Sequence, residues 1–103
     1  MAKYLLTYYG GKMETDPKKA EQSMAKWMKW FKDLGKAVVD SGNPTQAGKI
    51  VSSSGTKSVG PKSVTGYSII QADSLDAALA MAKSCPQIAA GGEIEVDTIM
   101  PMM

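Results

Sequence analysis

The fold of this chain is decided by residues 66–102, which read GYSIIQADSLDAALAMAKSCPQIAAGGEIEVDTIMPM. Residues 67–72 contain the aromatic Tyr67 and the β-branched pair Ile69-Ile70, so they predict a strand. Ser74 is a favoured helix N-cap, because its hydroxyl accepts a backbone N–H of the first turn. Residues 93–98 alternate acidic and apolar side chains, as in a strand with one buried face. Between these strands, apolar side chains recur at helical spacing until Pro86 ends the helix: Leu75, Ala78, Leu79 and Ala82.

The N-terminal half predicts one strand and one long helix. Residues 3–9 are rich in aromatic and apolar side chains and are followed by two glycines, which is typical of a strand that ends in a turn. Asp16 as N-cap and Pro17 at the first helical position begin a helix, which we expect to end near Ser41 with Gly42 as its C-terminal stop. The predicted core stripe of this helix follows the 3.6-residue period: Ala20, Met24, Trp27, Met28, Phe31, Leu34 and Val38.

The middle of the chain, residues 42–65, is rich in Gly, Ser, Thr, Lys and Pro and predicts a polar loop with one short strand at residues 49–52. The element order is then strand, helix, strand, strand, helix, strand, which is the ferredoxin-like βαββαβ arrangement in a single domain over residues 1–103. This is an α+β fold: a four-stranded antiparallel sheet with two helices on one face. The uncovered face needs a partner, and a homodimer that pairs two such faces is the simplest closed assembly.

The C-terminal third resembles the YCII-related family, also called the DGPF-domain family. The matching stretches are residues 66–70, 73–79, 85–86, 91–96 and 99–102, with a fainter likeness in residues 3–10 and the first helix. The resemblance implies a dimeric α/β barrel. In place of the family's Asp-Gly-Pro-Phe motif stands Val59-Gly60-Pro61-Lys62. Some members carry a first-helix histidine proposed to act with an aspartate; that role passes to no residue here, because the chain has no histidine.

Composition excludes several kinds of chemistry. All 12 basic residues are lysine, with no arginine and no histidine, so bidentate guanidinium recognition, a histidine general base and a His-containing metal site are excluded. The formal net charge is only +2 and acids interrupt the helix lysines, so we expect no nucleic-acid partner. No apolar run is long enough for a membrane span and no signal peptide is visible. With one cysteine, Cys85, expected to be buried and inert, we expect a cytoplasmic protein without a metal or cofactor.

Three carboxylates on the last strand are the candidate catalytic groups. If Ile94 and Val96 face the helices, then Glu93, Glu95 and Asp97 share the opposite face, about 7 Å apart. In an enclosed dimer cleft Glu95 or Asp97 would have a raised pKa and act as a general acid or base. The alternative, which the pattern favours, is that these acids lie on a solvated rim.

Aromatic side chains supply the candidate ligand contacts. If Leu6 and Tyr8 pack on the helices, Thr7 and Tyr9 point into the open face beside the carboxylates. Their alternative role is to supply area to the sheet and the dimer contact. Trp30, at the border of the helix stripe, is expected to line a cleft or to pack against a second subunit.

Three functions follow from these patterns. The first is a small binding protein that holds a small organic molecule in the cleft of a homodimer. The second is a lyase or isomerase in which Glu95 or Asp97 moves a proton and Tyr9 positions the substrate. The third is a structural or interaction module whose partners dock on the helices or on residues 42–65.

Overall fold

The structure is a computed structural model that describes residues 1–11 and 15–101. Part of the loop predicted before Asp16, and Met102 at the end of the matching stretch 99–102, lie outside the described residues. The strands are β1 (Ala2–Tyr9), β2 (Val38–Pro44), β3 (Lys49–Ser52), β4 (Gly55–Ser58), β5 (Val64–Ala72) and β6 (Glu93–Ile99). The helices are α1 (Pro17–Leu34), α2 (Leu75–Lys83) and α3 (Pro86–Ala89), with a single 3₁₀ turn at Gly35–Ala37. No helix in the described part of the chain has the length and hydropathy to span a bilayer.

Four strands form one antiparallel sheet in the order β2-β5-β1-β6, and the helices pack on one of its faces. The predicted α+β architecture with a four-stranded antiparallel sheet is therefore confirmed. In β1 the even-numbered side chains face the helices: Tyr4, Leu6 and Tyr8 are all buried. The core beneath the helices also contains Trp30, Ile70, Ala72, Ala78 and Cys85.

Both predicted helix starts are confirmed. The Asp16 carboxylate accepts a hydrogen bond from the Lys18 backbone N–H at 3.0 Å, and Pro17 occupies the first helical position. The Ser74 hydroxyl accepts the Ala77 N–H at 3.1 Å. These caps satisfy backbone donors that a helix cannot pair internally, which is why both helices begin where the sequence predicts.

The predicted end of the first helix at Ser41 is wrong. The helix α1 ends at Leu34, where Gly35 adopts a φ of 55° and its N–H bonds to the Phe31 carbonyl. The β-branched residues that follow then enter the sheet, so Val38 belongs to β2 and not to the helix stripe. Gly42, predicted as the helix stop, lies inside β2 with a φ of 79°. A Cβ at Gly42 would overlap the carbonyl oxygen of Tyr67, so this irregular strand passes β5 only because residue 42 has no side chain.

The strand predicted at residues 49–52 exists, but it is not part of the main sheet. It pairs with β4 in a two-stranded hairpin, with Lys49 opposite Ser58 and Ser52 opposite Gly55. Every residue of Lys49–Ser58, which we call the hairpin arm, is exposed. The arm departs from the end of β2 and returns to the start of β5. The arm lies in the segment for which the sequence predicted a polar loop with one short strand. The edge strand of the main sheet is β2, and not the predicted strand at residues 49–52.

The stripe on α1 is only partly core. Trp27, Phe31 and Leu34 pack against the buried cluster, whereas Met24 and Met28 remain 66% and 67% exposed. The arc that faces the sheet is centred between Trp27 and Trp30, so the two methionines fall on its flank. The prediction that all members of the stripe are buried is therefore wrong for Met24 and Met28.

Candidate functional site

The odd-numbered side chains of β1 and β6 share the face of the sheet that carries no helix, which we call the open face. The strand register pairs Thr7 with Glu95, Leu5 with Asp97 and Tyr9 with Glu93. Ile94 and Val96 point the other way and pack against the core. The predicted grouping of Thr7 and Tyr9 with the carboxylates on one face is therefore what the structure shows. We call Glu93, Glu95 and Asp97 the carboxylate row.

Tyr9 and Lys62 connect to the carboxylate row directly. The Tyr9 hydroxyl donates to Glu95 Oε1 at 3.3 Å. The Lys62 ammonium lies 3.7 Å from Glu93 Oε1 and 4.8 Å from the centre of the Tyr9 ring. One end of the open face thus combines two carboxylates, a phenol and a cation. This is a polar surface able to hold a hydrogen-bonding group.

The acids on the open face influence one another. Hydrogen bonding to Asp97 and the negative charge of Asp97 raise the pKa of Glu95, while Tyr9 and Lys62 oppose the rise. Partial burial raises the pKa of Tyr9, and the charge of Glu95 adds to this. Because both pKa values are raised, Glu95 and Tyr9 each keep their proton to a higher pH than the isolated side chains do. Glu95 and Asp97 are nevertheless exposed, so water screens their interaction in the single chain.

Trp30 is not at the border of the helix stripe, so its predicted position is wrong. Its side chain is 5% exposed and belongs to the core. The indole N–H is shared between the Met81 carbonyl at 3.2 Å and the Ser84 hydroxyl at 3.1 Å. Trp30 therefore joins α1 to the end of α2. It contributes to the stability of the fold and lines neither described cavity.

A cavity of about 660 Å³ lies on the helix side of the sheet, between α1 and the edge formed by β2 and β5. None of the predicted site residues Thr7, Tyr9, Trp30, Glu95 and Asp97 lines it. Its walls are the aromatic and thioether side chains of α1 and β1: Met24, Trp27, Met28, Phe31 and Tyr8. We call it the helix-side cavity. The sequence signal was the methionine-rich flank of α1, which the helical period assigned to the core.

The floor of the helix-side cavity carries a fixed chain of hydroxyl groups. Tyr8 Oη donates to Ser68 Oγ at 2.7 Å, and Ser68 Oγ donates to the Ser41 carbonyl at 2.7 Å. Burial raises the pKa of Tyr8 far above its ordinary value, so the phenol stays neutral at any physiological pH. The Trp27 ring stands edge-on to the Tyr8 ring with centroids 5.1 Å apart, which holds the two aromatic walls in place.

Among residues 1–11 and 15–101, no charged side chain lines the helix-side cavity. The polar side chains of the described lining are hydroxyls and amides. The Gln87 amide is already committed, because it donates to the Tyr9 and Gly10 carbonyls at 2.9 and 3.0 Å. A second cavity of about 410 Å³, between α2 and β6, differs in carrying both Asp76 and Lys83. The larger cavity therefore favours neutral apolar molecules.

Cys85 belongs to the buried core with Tyr8 and is not among the residues that line the helix-side cavity. The thiol is buried, as predicted, and burial raises its pKa to about 12. A thiol with this pKa is protonated at neutral pH and is a poor nucleophile. Among residues 1–11 and 15–101, no three Cys, Asp or Glu side chains are grouped to hold a metal ion.

Comparison with known proteins identifies the family. A family model described as the YCII-related domain matches residues 1–103. No curated protein matches the chain.

Proposed function

We propose that this chain, which belongs to the YCII-related domain family, binds a small organic molecule. The helix-side cavity carries this proposal, because about 660 Å³ lies within the range of small-molecule sites, which are mostly apolar with a few fixed polar groups. This proposal puts the ligand site on the helix side of the sheet, whereas the sequence favoured a cleft between the subunits of a dimer.

The chemistry of the walls defines the ligand class. Trp27 and Phe31 offer flat aromatic surfaces, and Met24 and Met28 supply flexible thioethers that adapt to an apolar outline. Tyr8 supplies a phenol on the floor, and its oxygen has acceptor capacity beyond the bond it donates. A charged group would lose its hydration without a partner. The ligand is therefore a neutral, planar or aromatic molecule with one hydrogen-bonding group.

A matched pair of probes tests this proposal. We expect 1-naphthol to raise the melting temperature and to quench tryptophan fluorescence, and we expect 1-naphthoate, with the same rings but a negative charge, to do neither. At ~100 times its dissociation constant, a specific ligand adds about 2.7 kcal/mol of stability. Failure of naphthol and of a wider panel of neutral aromatic compounds to shift the melting temperature would contradict the proposal.

Substitutions in the cavity wall localise the binding. Met24→Lys with Met28→Lys places charge in the wall, and both side chains are mostly exposed, so the fold is retained. The control is Leu75→Lys, because Leu75 is an exposed apolar residue on α2 that lines neither described cavity. We expect the methionine variant to lose naphthol binding and the control to keep it. Equal binding by both variants would move the ligand elsewhere.

The open face supports a second candidate function, acid–base chemistry of the lyase or isomerase kind. The observation in its favour is the raised pKa of Glu95 next to Asp97, with the Tyr9 hydroxyl bonded to Glu95. Glu95 would move the proton and Tyr9 would position the substrate. The test is an NMR titration of the side-chain carboxyl carbons. Ordinary pKa values for both Glu95 and Asp97 in the assembled protein would remove this candidate.

We also propose that two copies assemble sheet to sheet as a cytoplasmic homodimer, a dimeric α/β barrel built from ferredoxin-like domains. The strand order supports it, since β2-β5-β1-β6 is the βαββαβ order once the hairpin arm is set aside as an insertion. Half-buried Leu5, Ile69 and Ile99 on the open face would gain cover. Sedimentation equilibrium tests the assembly, and a monomer at ~100 μM would overturn it. Thr7, next to Glu95 in the register, would then lie in the contact.

A further inference from the structure

We infer that the hairpin arm of one copy lies against the carboxylate row of the second copy and completes the open-face site with a lysine. This inference rests on the proposed homodimer and specifies its geometry. Four observations support it: the separation of charge along the chain, the exposure of the arm, the strand order, and the cost of the alternative arrangement.

Charge is strongly separated between the arm and the row. Residues 41–72 contain three lysines and no Asp or Glu. Two of these, Lys49 and Lys57, are on the hairpin arm, and the third, Lys62, already pairs with Glu93 at 3.7 Å. The carboxylate row presents three acids on neighbouring outward positions of β6. Opposite charges on two surfaces of the same chain favour contact between copies.

In the described part of the chain, every residue of the arm is exposed, so the arm has no packed face. A two-stranded hairpin without packing is marginal in water. Val51 is 77% exposed and Ile50 is 40% exposed. The strand register places Ile50 opposite Lys57 and Val51 opposite Thr56, so each face of the arm carries one lysine and one β-branched apolar side chain. Either face can therefore pair with acids while it covers apolar surface.

The strand order brings the arm to the correct edge of the second copy. The arm leaves the sheet at the β2 edge, and the carboxylate row is on β6, the opposite edge. When two sheets face each other about a two-fold axis parallel to their strands, the order of strands reverses and β2 of one copy lies over β6 of the other. This rotation keeps the same ends of the strands together in the two copies. The arm rejoins the sheet at Val64, which pairs with Tyr9, and Tyr9 also pairs with Glu93. The arm of one copy therefore reaches the end of β6 in the other copy that carries Glu93.

The alternative axis is electrostatically unfavourable. A two-fold axis perpendicular to the strands places β6 over β6, so the two carboxylate rows face each other. Like charges placed together across an interface cost several kcal/mol. The carboxylate row therefore selects the axis parallel to the strands. In that arrangement a lysine from the second copy approaches Glu95 and Tyr9, and the site on each open face contains groups from both chains.

Charge reversal tests the contact. Lys49→Glu/Lys57→Glu reverses the arm, and Glu93→Lys/Glu95→Lys reverses two positions of the row. We expect each variant alone to form its homodimer at least about tenfold more weakly, because exposed ion pairs are lost and replaced by repulsion. An equimolar mixture should form a heterodimer, in which the reversed arm meets the reversed row and the unchanged arm meets the unchanged row. Lys26→Glu/Lys32→Glu on α1, with the same change in net charge, should dimerise as the wild type does.

Sedimentation velocity and native mass spectrometry separate the outcomes. Weak homodimers with a heterodimer in the mixture support the inference. Unchanged homodimers of both reversed variants, with a dimeric wild type, overturn the arm contact but leave the dimer intact. A monomeric wild type overturns the dimer and this inference together, and leaves the helix-side cavity untouched. Tighter dimerisation of Glu93→Gln/Glu95→Gln would show that the two rows face each other, which also overturns the inference.

Discussion

The two faces of the sheet are built from the same strands and differ in almost every property. On the helix face Leu6 and Ile70 are completely buried, and the only polar side chain from the centre of β5 is Ser68, which is fully hydrogen-bonded. On the open face their immediate neighbours Leu5, Ile69 and Tyr67 are half-buried. Because successive side chains of a strand point to opposite faces, one strand supplies both the side chains that stabilise the fold and those that can contact other molecules. Stability comes from the even positions of β1, and the odd positions are free to meet other molecules.

Leu6 and Leu5 give the largest expected difference between the faces. Leu6→Ala removes a side chain with 0% exposure and should lower the free energy of unfolding by ~3–5 kcal/mol, through lost burial and the cavity left behind. Leu5→Ala is the matched control, one residue along the chain on the other face, and should cost about 1 kcal/mol or less in the monomer. Urea unfolding measures both. Equal losses would show that the open face is as tightly packed as the helix face.

Tyr8 and Tyr9 form the second matched pair. Tyr8→Phe removes the buried donor to Ser68 Oγ and should cost ~1–3 kcal/mol, because a buried polar group loses its partner. Tyr9→Phe removes the 3.3 Å bond to Glu95 in an exposed setting, and we expect no measurable change in the free energy of unfolding. The comparison uses the same chemical change at adjacent positions. A larger effect at Tyr9 would reverse the assignment of stability to the helix face.

Alkaline pH should destabilise the helix face first. The folded chain holds the Cys85 pKa at about 12, against an ordinary value of 9.0, because the thiol is buried. Between these values the unfolded chain releases a proton that the folded chain retains. Stability is therefore full below pH 9 and falls as the pH rises toward 12, by up to ~1.4 kcal/mol per pH unit. Cys85→Ala should be less stable overall, but its free energy of unfolding should fall less steeply between pH 9 and 10 than that of the wild type. Identical slopes for the two proteins would show that the Cys85 thiol does not cause the decline.

The smallest expected effect is on the open face. Glu95→Gln removes the like-charge contact with Asp97, so at neutral pH the monomer should melt slightly higher, by no more than about 2 °C. In the wild type, the pKa of Glu95 in the folded chain is raised above its ordinary value of 4.5. The protonated Glu95 therefore contributes its full stability below pH 4.5. This stability is lost as the pH rises through the pKa of the folded chain, where Glu95 becomes charged beside Asp97. The variant's advantage should therefore disappear below pH 4. Thermal melts at both pH values, at concentrations where the chain is monomeric, measure this difference.

Local signals explain which parts of the fold were predictable. The strands β1, β5 and β6 and both helix caps follow from alternation and from single residues such as Asp16 and Ser74. The grouping of Tyr9 with Glu95 follows from the same alternation once the buried face is known. The end of α1 was missed because the helical period continues by chance to Val38, although Gly35 is the residue type that most often follows a helix.

Long-range packing explains what was missed at the site. Trp30 is buried because the end of α2 supplies two acceptors for its indole N–H, and these residues lie more than 50 positions away. The helix-side cavity exists because β2 passes beside α1, and the irregular course of β2 depends on Gly42 fitting against the Tyr67 carbonyl. No periodicity within α1 carries that information. A helix flank rich in methionine is ambiguous until the opposite wall is known.

The position of β1 in the sheet has a consequence for a chain that is cut. The strand β1 lies between β5 and β6, so the first strand of the chain is hydrogen-bonded on both sides by strands from the second half. The Ser53-Ser54 turn at the tip of the arm is exposed and is the natural place for a protease to nick the backbone. A nick there yields residues 1–53 and 54–103, whose strands interleave, so the nicked chain stays associated. We expect the two halves, made separately, to form a complementing pair that reassembles one fold from two polypeptides.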